Sequence, residues 1–117
     1  MTSRHKAFRI AAAAFEEKAD DLVILDLRKS SSLFDYFVLC SATSSRRAQT
    51  IAERVEEALR PAGARLWHRE GDPEGGWLLL DYGSVVAHIF QAEARAFYQL
   101  ERLWYDAPRV PAGSSRA

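Results

Sequence analysis

Three histidines, one cysteine, scattered carboxylates and one hydroxyl-rich loop are the groups in this chain that could do chemistry. His5, His68 and His88 stand with no Cys, Asp or Glu at a spacing that closes around a metal ion, so no structural metal is expected. Cys40 has no second cysteine to pair with and lies in the apolar run Tyr36 to Cys40. Without an activating base beside it, it reads as a buried structural thiol rather than a nucleophile. Nucleotidyl transfer needs clustered carboxylates for two magnesium ions, typically an Asp-x-Asp pair on a strand after a Gly-Ser helix start. Here Asp26 and Asp81 are single acids on separate expected strands, and Gly83-Ser84 leads into a strand. The loop Ser41-Ala-Thr-Ser-Ser45, followed by Arg46 and Arg47, could meet an anion at a helix N-terminus. Lacking the glycines and lysine of a P-loop, it reads first as helix capping, with phosphate or rRNA contact the minor alternative. No catalytic residue and no cofactor is expected.

Binding is the chemistry that remains, and it centres on Trp77 to Gln91. Leu78 to Tyr82 and Val85 to Ile89 are strand-length apolar runs, and Gly83-Ser84 is a two-residue connection that closes antiparallel strands. Counting outward from that turn sets Asp81 opposite Val86, Leu80 opposite Ala87, Leu79 opposite His88, Leu78 opposite Ile89 and Trp77 opposite Phe90. One face then carries Leu78, Leu80, Tyr82, Val85, Ala87 and Ile89, a plain core face. The other carries Trp77, Leu79, Asp81, Val86, His88 and Phe90, and this mixture of rings, aliphatics, one acid and one imidazole suits contact with another macromolecule.

The remaining elements must position that hairpin. Phe8, Ala11, Ala12, Phe15 and Ala19 recur at helical spacing, which predicts a helix over Lys6 to Lys18 with an alanine-rich seam. Leu22 to Leu27 and Tyr36 to Cys40 read as strands. A capped helix carries Ala48, Ile51, Ala52, Val55, Ala58 and Leu59 until Pro61 and Gly63 stop it. Arg65 to His68 reads as a short strand, Gly71 to Gly76 as a turn-rich connection, and Ala92 to Tyr105 as a last helix with Phe97, Leu100 and Trp104 inward. Tyr98 and Glu101 fall on an adjacent face of that helix, where they can meet a partner. The expected architecture is a single α/β domain, a mixed β-sheet flanked by helices, over residues 1–107, with 108–117 as a flexible C-terminal tail.

At 117 residues, 48% hydrophobic and 27% charged, the chain has the make-up of an ordinary globular domain, and no apolar run reaches the roughly 20 residues of a membrane span. No secretory signal is recognisable, so a cytoplasmic location is expected. Formal net charge is zero, yet between Glu70 and Asp106 seven acids face only Arg95 and Arg102, a net −5 balanced by +5 elsewhere. An acidic region that holds the hairpin complements a basic protein surface.

The segment Asp81-Tyr-Gly83, the strand end His88-Ile-Phe-Gln91, the helix Phe97-Tyr-Gln-Leu-Glu-Arg-Leu-Trp104 and the upstream Asp35-Tyr-Phe-Val-Leu-Cys-Ser-Ala-Thr-Ser-Ser-Arg46 together resemble the bacterial ribosomal silencing factor, or Iojap, family. The likeness runs collinearly from about Lys6 to Val110. It implies a nucleotidyltransferase-like fold without the catalytic equipment. It further implies docking on the large ribosomal subunit through ribosomal protein L14 (uL14), steric blocking of small-subunit joining when nutrients are limiting, and homodimers off the ribosome. The family usually carries an acid where Ser84 stands, so one surface charge beside the turn is missing here. Under this reading Trp77, Leu79, Val86 and Phe90 supply apolar contact, Asp81 and Glu101 face basic groups, and His88 and Tyr98 add polar or stacking contacts. The alternatives are a nucleotide-using enzyme and an rRNA-binding large-subunit assembly factor.

Overall fold

The structure is a computed structural model that describes residues 1–72, 76–91 and 107–110. Its elements are α1 (Ser3–Glu16), β1 (Asp20–Asp26), β2 (Tyr36–Ala42), α2 (Ser45–Leu59), β3 (His68–Asp72), β4 (Trp77–Asp81), β5 (Val85–Gln91) and β6 (Arg109–Val110). The six strands form one sheet in the order β3-β4-β5-β2-β1-β6. Every neighbouring pair is antiparallel except β2 and β5, which run parallel. The mixed sheet of an α/β domain is therefore as expected from the sequence.

Both described helices pack on one face of the sheet and against each other. Thr2 caps α1 by accepting the His5 backbone N–H at 3.1 Å, and Ser44 caps α2 by accepting that of Arg47 at 3.1 Å. Each such cap is worth about 1 kcal/mol. The seam of α1 is rotated from the expected stripe. Ala7, Ile10, Ala11 and Ala14 are the buried residues at helical spacing, while Phe8 is half-buried and Phe15 is exposed. Small side chains let the backbone of α1 come close to the sheet and α2 at once, so the bulky rings are left at the rim. In α2 the buried residues are Ala48, Ile51, Ala52, Val55 and Leu59, on the face the periodicity predicts.

Two departures from the expected boundaries change the sheet itself. The third strand lies at His68–Asp72 rather than Arg65 to His68, because the Trp67 N–H bonds to the Asp81 carbonyl at 2.8 Å and pairing with β4 runs on from there through Gly71. Ordered structure also extends past residue 107. Val110 and Arg109 pair with Ile24 and Leu25, and the Asp26 N–H bonds to the Pro108 carbonyl at 2.8 Å. The first three residues of the expected tail therefore complete the sheet edge beside β1. The expected last helix lies outside the described residues.

Candidate functional site

The hairpin has the register counted from its turn: Asp81 with Val86, Leu80 with Ala87, Leu79 with His88, Leu78 with Ile89 and Trp77 with Phe90. Gly83 has φ +88°, the left-handed region a tight turn needs, and its N–H donates to Asp81 Oδ1 at 2.8 Å. Lys6 Nζ reaches across from α1 to the Tyr82 carbonyl at 2.9 Å, tying the turn to the helical layer. Leu78, Leu80, Tyr82, Val85, Ala87 and Ile89 all enter the core beneath the helices.

The opposite face holds a second apolar cluster built from Leu25, Leu27, Phe37, Leu39, Val86, Phe90 and Ala107, with Val23, Phe34, Trp77 and Leu79 partly buried against it. His88 lies among its rings. It meets Phe37 edge-on at 4.6 Å between centroids and stacks with Phe90 at 6.0 Å and Trp77 at 6.5 Å. The indole N–H of Trp77 donates to His88 Nδ1 at 3.4 Å, which places the imidazole proton on Nε2, a buried atom without a hydrogen-bond partner among the described residues. Burial pushes the His88 pKa down to about 4, so the ring is neutral at pH 7.

Sequence reasoning placed all six hairpin residues on one contact face, and the structure divides them. Val86, His88 and Phe90 are 3%, 5% and 1% exposed, so they pack inside the chain rather than offer surface to a partner. Trp77, Leu79 and Asp81 alternate with buried neighbours along β4 and stay partly exposed. Tyr98 and Glu101 lie outside the described residues. Gly71, read from the sequence as turn material, sits inside β3 at φ +101°, where an added Cβ would come within 2.5 Å of the Trp77 carbonyl oxygen and 3.1 Å of the Trp77 ring. The missing side chain is what lets the indole lie across the neighbouring strand. Trp67 also escaped notice, although an indole set between Arg65 and Arg69 with no apolar periodicity around it is a legible sign of exposure.

The groups first considered for catalysis are dispersed. Asp26 on β1 and Asp81 on β4 are three inter-strand steps apart, roughly 14 Å, too far to share a metal pair. Asp26 is instead held below the usual carboxylate range by the Arg28 guanidinium, which bonds it at 2.6 and 2.9 Å. Cys40 is fully enclosed on β2, and burial pushes its thiol up to about 12, leaving it un-ionised and unreactive. Arg47 turns back onto the carbonyl and carboxylate of Glu17 rather than toward a ligand at the start of α2. Among the described residues no three His, Cys, Asp or Glu side chains gather as metal ligands would. No described helix is long and apolar enough to cross a membrane.

A family model described as ribosomal silencing factor during starvation matches residues 1–117. The chain belongs to the ribosomal silencing factor family. The Bacillus subtilis ribosomal silencing factor RsfS is 40% identical over 101 residues, 86% of each chain. More distant members include the chloroplastic protein Iojap of Zea mays, 32% identical over 89% of this chain and 45% of that protein. The Mus musculus protein named mitochondrial assembly of ribosomal large subunit protein 1 is 30% identical over 76% of this chain and 40% of its own. A Chromobacterium violaceum crystal structure superposes with a TM-score of 0.83 at 30% identity, over 90% of this chain and 88% of that one.

Proposed function

We propose that the chain represses translation by binding the large ribosomal subunit through uL14 and sterically blocking the small subunit, acting by occupancy and not by turnover. The observation that carries this reading is the family match along the whole chain. The half-exposed Trp77 and Leu79, with Asp81 beside them on β4, form the contact surface within the described residues. Large aromatics give most of the energy when a partner covers them, and an acid at the rim orients a basic partner. Tyr98 and Glu101, which lie outside the described residues, are assigned to partner contact from the sequence alone, and a second copy of the chain covers the β4 surface when the ribosome is absent. The dispersal of Asp26, Asp81 and Cys40 supports a binding role over nucleotide chemistry.

Sedimentation of the purified protein with separated subunits tests the proposal. The protein should pellet with large subunits only and should reduce formation of joined ribosomes in proportion to occupancy. Failure to co-sediment, or joined ribosomes at the control level under saturation, would refute it. The name of the mouse relative favours a second reading, a part in large-subunit assembly. Depletion would then leave precursor particles where pure silencing leaves mature ones.

A further inference from the structure

Trp67 is 72% exposed, yet it is not loose. Its backbone N–H is fixed to the Asp81 carbonyl at 2.8 Å, and the indole lies on Gly83, with ring atoms 3.2 to 3.4 Å from where a Cβ would stand. One ring face is therefore seated on a glycine and the other is presented to solvent in a set orientation. It sits at the Asp81 end of β4, a strand length away from Trp77. The residues that precede Trp67 and Gly83 in the chain, Leu66 and Tyr82, line a cavity of about 170 Å³ together with Glu56, Arg60, Ala64 and Arg65.

The charges around this corner are already sorted. Arg69 bonds the Glu56 carboxylate at 2.9 Å, His68 meets Glu70 at 2.9 Å, and Asp81 accepts the Gly83 N–H. Arg60 and Arg65 have no ion-pair partner among the described residues, and both are exposed. The unsatisfied groups are thus one oriented π-face and two guanidinium cations. A ligand that offers both a flat ring and an anion satisfies them together, and a nucleotide in a flexible strand is such a ligand. An acidic peptide would meet the cations but would gain less from the bare ring face.

We propose that this corner binds single-stranded RNA, one base stacking on the outer face of Trp67 while the adjoining phosphate is held by Arg60 and Arg65. The choice of RNA rests in part on the ribosomal reading above, whereas the geometry of the corner is independent of it. Because the indole is already held in place, stacking on it costs little ordering, and the site tolerates any base.

The test is fluorescence anisotropy of a labelled short oligoadenylate RNA titrated with the full chain at low salt. Wild type should bind saturably. Trp67→Ala should bind about tenfold more weakly, with its thermal melt unchanged because so little of the side chain is buried. Arg60→Gln with Arg65→Gln should weaken binding and reduce the slope of log affinity against log salt by about 0.7, the loss of one neutralised phosphate. Trp77→Ala should bind RNA as wild type does. Absence of saturable binding, equal affinity of Trp67→Ala and wild type, or stronger binding of an acidic tyrosine-containing peptide than of RNA would each overturn the proposal. Lost RNA binding with intact co-sedimentation removes this inference alone. Retained Trp67-dependent RNA binding without co-sedimentation removes the ribosomal reading and leaves this one standing.

Discussion

Trp77 holds two positions at once, a half-exposed ring that can be covered by a partner and a hydrogen-bond donor to the buried His88. Trp77→Ala should weaken large-subunit binding per folded molecule by about 2 kcal/mol, roughly thirtyfold, as read by co-sedimentation across a concentration series. Unchanged affinity per folded molecule, with only a lowered melting temperature, would place the ring's whole contribution in the fold. His88 gives a second prediction. Its folded-state pKa of about 4 lies below the 6.5 of an exposed histidine, so as pH falls the unfolded chain takes up the proton first. Stability supplied by the neutral ring is complete above pH 6.5 and drains away between about 6.5 and 4, by about 3 kcal/mol in all. Urea melts at stepped pH should show this loss in wild type and much less of it in His88→Gln, which cannot titrate. Its burial was not legible in the sequence. A single imidazole on a face that also carries Trp77 and Asp81 looks like surface until the packing of Phe37 from β2 against it is known, and that contact joins residues 51 positions apart.

At the level of the element, the hairpin was the most readable part of the chain, because a two-residue turn and strict alternation leave one register open. The strand before it was harder. Gly71 signals a turn in sequence, but in β3 it serves close approach, and only the position of the Trp77 ring reveals that. The phase of α1 was misjudged for a related reason: bulky rings were assigned inward, whereas the tight space between sheet and α2 admits alanine and isoleucine. Gly71→Ala should accordingly cost roughly 2 kcal/mol, combining positive-φ strain with displacement of the indole. Thermal melts would read the stability, and near-ultraviolet dichroism would read the tryptophan environment. A melt and spectrum equal to wild type would mean that β3 yields freely, and the proposed placement of Trp77 would lose its structural support.

Across the molecule, formal charge is zero only as a sum, since the acids concentrate between Glu70 and Asp106. Steering toward a basic partner depends on that separation more than on any pair. Asp81→Asn isolates it cleanly, because an amide oxygen can still accept the Gly83 N–H while the charge is gone. Association with immobilised large subunits should slow several-fold, dissociation should change little, and the difference should shrink as salt rises. An unchanged association rate would assign Asp81 to turn formation alone. The sheet order has a different kind of consequence, one of timing. Strands β1 and β2 come from the first half of the chain, yet they lie between β5 and β6 from the second half. During synthesis the hairpin of β1 and β2 can form early, but the free edge of β2 must await β5, whose first residue follows Ala42 by more than forty positions. At roughly ten residues per second that is an interval of several seconds. Through it the nascent chain carries an unpaired, almost wholly apolar strand at the ribosome's exit, open to any other chain emerging nearby.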